Sequence, residues 1–472
     1  MNVRIEGGDV RYTVEQLAQT LFGSAQTDIS VKTSASEKRV TAVCRISDGE
    51  KEASASAWSP RPETEYDYNH ALRLTAAKAL YKASLPILGT APDWGMLSGV
   101  RPGKLIRARL EKGESLEKAE KWLEKTYFVT PKKASLCAMA GKAAFDAENS
   151  FTDKDIMLYI HIPFCPSRCS YCSFVSMSAG DYARYGEKYL ECLSRELDAF
   201  ADLKETRGLH VRAVYIGGGT PAILDAQNLE KLCTRVRALA PDAEFTVEAG
   251  RPDVITREKL AALKRAEVDR VCVNTQTVHD RTLEIIGRRH TSGDFFRAFD
   301  LVREAGFREI NVDLIAGLPG ESAEDFKKSL DSVLSLSPEN ITVHTLAVKR
   351  SSFLNEESYK NAPAEALHEM LDYSQSVLTA AGYAPYYLYR QKNTGGSFEN
   401  IGFTKEGHAC LYNICMMEEV GDVAALGAGA SGKLTRGGIQ RRVNPKYPRE
   451  YIEGIDGVLE SFRTFYGYFD EQ

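Results

Sequence analysis

The chain has 472 residues, too many for one ordinary hydrophobic core, and 43% apolar with 26% charged side chains is the composition of a folded protein, not a disordered or fibrous one. A formal charge of −5 offers no polybasic footprint for nucleic acid or an anionic membrane. The start Met1-Asn2-Val3-Arg4 is polar and no apolar run nears the roughly 18 residues of a spanning helix, so a cytoplasmic protein is expected; ten cysteines are too sparse for a disulfide framework and mean metal or redox chemistry where they cluster.

Residues 1–145 read as a small α+β domain of unassigned role. Helical spacing covers 13–21, 69–85 and 116–127, while Val40, Ala42, Cys44 and Ile46 alternate with polar neighbours as in a half-buried strand. The stretch 54–62, small residues with two prolines, reads as a loop. Glycine and proline punctuate 94–104, where Arg101 and Lys104 form an exposed basic turn. The polar, acidic run 146–155 is expected to be a hinge into a core domain over 146–354.

In that core, strand-like runs recur at 157–162, 213–217, 245–249, 270–275, 310–316 and 341–346, separated by amphipathic stretches such as 182–200, 226–239 and 323–336. Strand-helix alternation predicts a parallel sheet with helices outside, and six units in place of eight predict an α/β fold in the form of a partial, open (β/α)6 barrel. One strand face carries Leu158, Ile160, Ile162, Val214, Ile216, Val271, Val273, Val312 and Leu314. The other carries Tyr159, His161, Tyr215, Thr246, Glu248, Asn274, Gln276, Asn311, Asp313, Thr342 and His344. Closed barrels fill the bore with branched apolar residues, so a polar lining points to an open bore holding a polar ligand at the carboxyl ends of the strands.

The first of these strands runs into Cys165-x3-Cys169-x2-Cys172. Thiolates suit iron-sulfur clusters or zinc, but structural zinc takes four protein ligands. Three cysteines on one tight loop therefore favour a [4Fe-4S] cluster with one iron left open. Directly after the second strand comes Gly217-Gly218-Gly219-Thr220-Pro221, whose glycines let main-chain groups approach a ligand closely.

These motifs, with Val312-Asp313-Leu314-Ile315 leading to Gly317-Leu318-Pro319-Gly320 and a later Pro385-Tyr386-Tyr387-Leu388-Tyr389-Arg390, resemble the radical S-adenosylmethionine enzymes. More narrowly they are similar to the oxygen-independent coproporphyrinogen III oxidase (coproporphyrinogen dehydrogenase) family and its HemZ-like branch. The resemblance implies a [4Fe-4S] cluster on Cys165, Cys169 and Cys172, with S-adenosylmethionine, one or two molecules, chelating the open iron. It implies cofactor contacts from Tyr159, Tyr171, Gly218, Gly219, Thr220, Glu248, Gln276, Arg288 and Asp313, with Thr345 a further alignment to the same site. The implied reaction converts two propionates of coproporphyrinogen III to vinyl groups, in haem biosynthesis, with an electron donor such as flavodoxin or ferredoxin and a monomeric protein. For so anionic a substrate, His344, Lys349, Arg350, Tyr386, Tyr387, Tyr389, Arg390 and Lys392 are candidate contacts.

One departure bears on the substrate. Oxidases of the family carry a fourth cysteine two residues after the third, where this chain has Phe174, and relatives with phenylalanine include haem-trafficking proteins. Haem binding or transfer, or a radical modification of haem, is thus the alternative to decarboxylation, and a carrier would want an accessible axial ligand, for which His408 near Cys410 is the local pair. Cys410 and Cys415 otherwise read as plain thiols. Residues 355–472, helical over 364–381 and then glycine-rich, are expected to form an α+β cap on the open side of the barrel.

Overall fold

The computed structural model describes residues 1–23, 25–173, 177–348, 362–391 and 398–467. Its packing gives two compact units, residues 1–142 with 388–399 and residues 143–387 with 400–472, which differs from a three-way division at 145 and 354. The run 146–155 is not a hinge: helix Pro131–Asn149 continues through its first half, and the next strand starts at Asp155.

In the first unit, strands β1 (Asn2–Glu6), β2 (Asp28–Ala35), β3 (Arg39–Ser47) and β4 (Glu52–Pro60) form a sheet in sequence order, β1 parallel to β2 and the rest antiparallel. Helices Arg11–Phe22 and Glu65–Leu88 cover one face, burying Val14, Leu17, Leu72, Ala76 and Leu80 with Ile29, Val31, Val40, Cys44 and Ile46. The expected loop at 54–62 is mostly β4. Its alternation uses alanine in place of larger residues, with Ala55 and Ala57 packed on the core and Ser59 bonded to Thr75 of the long helix at 2.8 Å. Small inward side chains let that helix lie close to the sheet but look like a loop to hydropathy. Segment 388–399 joins this unit through buried charge: the Glu399 carboxylate accepts from Trp94 Nε1 (2.9 Å) and pairs with Lys133. Arg390 lies over the Trp94 ring (4.7 Å) and donates to the Leu97 carbonyl at 2.5 Å.

The second unit is built on six parallel strands, β5 (Asp155–Ile162), β6 (His210–Gly218), β7 (Glu244–Gly250), β8 (Arg270–Val273), β9 (Glu309–Ala316) and β10 (Asn340–Thr345), paired in sequence order as the open six-fold barrel requires. The apolar face from Leu158 to Leu314 is buried throughout. Crossover helices Ala179–Arg207, Ser292–Glu304 and Ala323–Ser335 each begin with a reciprocal Ser/Thr–Asp capping box, at Ser178–Asp181, Thr291–Asp294 and Ser322–Asp325. Such caps satisfy two orphaned amides and fix where each helix leaves the sheet. At the amino ends, the first residues of four strands converge: buried Arg270 pairs with Glu244 (2.9 Å) and Glu309 (3.3 Å) and donates to Asn340 Oδ1 (3.0 Å).

The C-terminal residues extend this sheet at both edges. Strand β11 (Ala384–Arg390) lies outside β12 (Glu399–Thr404), which is antiparallel to β10, while β13 (Asp422–Leu426) runs parallel to β5 and is followed by β14 (Ser431–Leu434) and β15 (Gln440–Val443). The eleven strands stay open, with no pairing of β15 to β11 among the described residues. The expected helix at 364–381 is Ala364–Ala380. Among the described residues no helix is long and apolar enough to cross a membrane.

Candidate active site around the cysteine loop

Strand β5 alternates strictly, so Ile160 and Ile162 pack outward while Tyr159 and His161 face the bore. Beyond Ile162 the chain turns into the loop with Cys165, Cys169 and Cys172, three partly exposed cysteines outside any disulfide. The loop is stitched down at both ends and in the middle. Cys165 N donates to Met177 O (2.8 Å), Cys172 N to Cys169 O (3.1 Å), and Ser170 N to Ile286 O (3.0 Å).

The glycine run explains how the loop and the bore come together. Gly219 N donates to Ile162 O and Thr220 N to Phe164 O, both at 2.8 Å, and the Thr220 hydroxyl donates to Cys165 Sγ at 3.6 Å. A Cβ on Gly219 would lie 2.5 Å from Phe164 O and 3.0 Å from Cys165 Sγ; one on Gly218 (φ +106°) would strike the His161 ring, and one on Gly217 the Glu248 carboxylate. These glycines bring the cysteine loop, His161 and Glu248 to one place, and the amides of Gly219 and Thr220 serve β5 and the loop, not a ligand.

Around the bore, Tyr215 donates to Glu248 Oε1 at 2.5 Å, and burial pushes the Glu248 carboxyl up to about 7 against that bond. Burial also pushes Asp313 up, but the neighbouring His344, Asn311 and Thr342 outweigh it and hold this carboxyl below its usual value. Asn311 Nδ2 lies 2.8 Å from Asp313 Oδ1 and His344 Nε2 is 3.8 Å from Asp313 Oδ2. One rim carboxyl therefore changes charge near neutral pH and its neighbour stays anionic. Buried His161 is pushed down to about 4 by desolvation, and its Nδ1 has no hydrogen-bond partner.

Strand β8 ends two residues earlier than expected, because Asn274 N turns to Gly250 O (2.7 Å) and Gln276 sits in the left-handed region at φ +73°. Gln276 is held there by Gln276 N to Asp313 O (3.0 Å) and Ile315 N to Gln276 O (3.1 Å), while its side-chain Oε1 and the Oδ1 of Asn274 are buried without a partner. Gln276 thus combines backbone strain with a buried acceptor that the described protein groups leave unmatched. Arg288, 8% exposed, donates to the Asn274 carbonyl and to Tyr171 Oη (3.0 Å), joining the cysteine loop to the end of β8.

The other expected residues divide. Tyr387 crosses Gly402 to reach Thr342 Oγ1 (3.3 Å) on the bore face, and Tyr386 Oη accepts from Asn413 Nδ2 (3.2 Å); both rings are buried. Thr345 N donates to Asn400 Oδ1 (2.9 Å). Arg390 does not join this rim: its guanidinium is buried in the first unit, where desolvation pushes it down to about 10. Phe174, Lys349, Arg350 and Lys392 lie outside the described residues. Of the His408–Cys410 pair, Cys410 is fully buried, its thiol pushed up to about 12, while half-buried His408 meets Glu309 through Nδ1 at 2.6 Å at the amino ends of the strands. Tyr412, which had no sequence signal, stacks on Tyr215 (4.5 Å) and Tyr159 (5.8 Å) in the bore. Arg251, equally unforeseen, sits under the cysteine loop, bonded to Ser167 O at 3.2 Å.

Three soft thiols on a pinned loop, next to a bore with unpaired acceptors and an anionic carboxylate, fit a [4Fe-4S] cluster with a cationic polar cofactor on its open iron. Among the described residues no three His, Cys, Asp or Glu side chains are gathered at ion-holding distance.

Comparison with known proteins agrees with this chemistry. The Radical SAM superfamily profile matches residues 159–333. The chain is 38% identical over 379 residues to the oxygen-independent coproporphyrinogen-III oxidase-like protein HemZ of Bacillus subtilis, spanning 78% of this chain and 76% of that protein. It is 31% identical to the heme chaperone HemW of Escherichia coli, over 65% of this chain and 78% of that one. In fold it is similar to coproporphyrinogen III oxidase (HemN) from Escherichia coli, with a TM-score of 0.52 at 20% identity, covering 68% of this chain and 73% of that structure. The chain belongs to the radical SAM superfamily, among the oxygen-independent coproporphyrinogen-III oxidase-like proteins, and its cofactors are a [4Fe-4S] cluster and S-adenosylmethionine.

Proposed function

We propose that this protein is an enzyme acting on a tetrapyrrole, by oxidative decarboxylation of two propionates of coproporphyrinogen III to give protoporphyrinogen IX. Cys165, Cys169 and Cys172 hold the cluster, and Tyr159, Tyr171, Gly218, Gly219, Thr220, Glu248, Gln276, Arg288 and Asp313 surround S-adenosylmethionine. When bound, this pair supplies a carbon radical that abstracts hydrogen from the substrate. The observation that carries the reading is the row of polar side chains at the carboxyl ends of β7 to β10, brought against the cysteine loop by Gly217–Thr220.

Each residue has a task its chemistry suits. Asp313, kept ionised inside a low-dielectric bore, attracts the sulfonium cation; Glu248 and Gln276 accept from hydroxyl or ammonium groups; Arg288 offers a forked donor to a carboxylate. The Tyr159–Tyr412–Tyr215 stack fills the bore below them and keeps water out. His344, half-buried on β10, and Tyr387, on the added strand β11, are assigned to the tetrapyrrole.

The deciding experiment is anaerobic turnover with dithionite and S-adenosylmethionine. Release of 5'-deoxyadenosine is expected to rise on adding coproporphyrinogen III, with vinyl-bearing product detected. No stimulation together with stoichiometric haem binding would instead support a haem carrier, the reading that the HemW relative suggests. A second expectation concerns Gln276→Gly. Relief of left-handed strain, about 1 kcal/mol, offsets the extra chain entropy of glycine, so Tm should hold while S-adenosylmethionine affinity falls at least about tenfold. Unchanged affinity in equilibrium binding would remove Gln276 from the cofactor site.

A further inference from the structure

Arg251 follows β7 and is 3% exposed. A buried guanidinium is costly unless its charge and all its donors are matched. Asp253 matches the charge and two donors, with Nε to Oδ1 at 2.9 Å and Nη2 to Oδ2 at 2.8 Å. The remaining contacts go to one residue of the cysteine loop: Nη1 donates to the Ser167 carbonyl at 3.2 Å and also to its hydroxyl oxygen. That hydroxyl in turn donates to Gly287 O at 3.1 Å, so the link continues to the segment carrying Arg288.

Ser167 is the middle residue of the three that separate Cys165 from Cys169. Its main chain sets how far apart and at what angle those two thiols are presented. Cys165 is tied through its amide to Met177 O and the loop's other side through Ser170 N to Ile286 O, and the Arg251 bond to Ser167 falls between these two ties. Among the described residues, Arg251 is the side chain that bonds the Ser167 carbonyl, and it reaches it from outside the loop, directly after the strand that carries Glu248 and Gly250. The bidentate Asp253 neutralises most of the charge, so the effect is on geometry more than on potential.

We propose that Arg251, braced by Asp253 and acting through Ser167, is a positioning residue for the iron-sulfur cluster: it fixes the Cys165–Cys169 span and so sets how tightly and how uniformly the metal is held. This rests on the cysteine trio being the cluster ligands. Groups that orient metal ligands typically change affinity 10- to 100-fold when removed.

The test uses full-length protein reconstituted anaerobically as wild type, R251M, R251K, S167A and the R251M/S167A double variant. Iron release to a chelator is timed, the reduced cluster is read by electron paramagnetic resonance, and apoprotein melting is recorded alongside. R251M is expected to take up iron but release it about tenfold or more faster, with the single resonance signal split into more than one species. R251K, which can still reach the Ser167 carbonyl, should recover part of the difference, and the double variant should be no worse than R251M. A wild-type release rate and a single signal in R251M would overturn the proposal, as would additive effects of R251M and S167A. If R251M does not fold, S167A carries the same expectation in the same two readouts. Wild-type protein without iron, or iron retained after alanine replaces all three cysteines, would sink the cluster assignment itself and is seen before any of these variants is compared.

Discussion

Gly219→Ala should yield a folded protein that cannot keep its iron. The new Cβ falls 2.5 Å from Phe164 O, 2.9 Å from Ile162 O and 3.0 Å from Cys165 Sγ, and two of these neighbours are main-chain carbonyls that cannot rotate away. Relief comes only by separating β6 from the cysteine loop, which breaks the 2.8 Å bonds from Gly219 N and Thr220 N and displaces Cys165. Overpacking of this kind costs about 1–3 kcal/mol, small against a global stability of about 5–15 kcal/mol. Iron and labile sulfide after anaerobic reconstitution should fall about tenfold or more, with apoprotein melting only modestly lower. Gly457→Ala, whose added methyl meets nothing within 4 Å, is the control and should load fully. Full iron content in Gly219→Ala would mean that the loop does not depend on this approach.

Glu196→Ala is expected to be the most destabilising single change in the second unit. This carboxylate is completely buried on helix Ala179–Arg207 and gathers four donors: Gly427 N (2.7 Å), Asn444 Nδ2 (3.0 Å), Tyr451 Oη (2.8 Å) and, at 3.5 Å, the Arg442 guanidinium. Removing it leaves a buried cation and three neutral donors unmatched, a loss of about 3–5 kcal/mol. Chemical denaturation should show that loss, and Glu196→Gln, which keeps one acceptor, a smaller one. The loss should reach the site as well, because the glycine-rich loop from Gly427 lies on the first bore strand: a Cβ at Gly427 would be 2.5 Å from His161 O, and Tyr189 bonds both that carbonyl (2.6 Å) and Ala428 N (3.1 Å). Faster amide exchange at 427–430 in Glu196→Gln is the matching local signal. A cost under about 1 kcal/mol for the alanine variant would show that water replaces the carboxylate.

The glycine-rich run 427–432 is thus a pinned element, neither a lid nor a flexible connection. Glycine composition is the same in all these cases, and only the acid brought from Ala179–Arg207, 231 residues earlier in the chain, decides among them.

Much of the fold and the heart of the site were legible because they are local. Period-two alternation in β5 to β10 separates an apolar outer face from a polar bore, and the spacing Cys165-x3-Cys169-x2-Cys172 puts three soft thiols of the candidate site on one short loop. Tertiary structure alone decided what depended on distant partners. Alanine-rich β4 became a strand because a helix lay close enough to cover it; Arg390 became a buried donor beside Trp94 and Leu97 instead of a rim cation; Arg251 and Tyr412 entered the site from a strand end and a late helix. The physical reason is one of range. Alternation and ligand spacing act between neighbours a few residues apart, whereas desolvation and hydrogen-bond matching depend on which remote groups the fold places within about 3 Å.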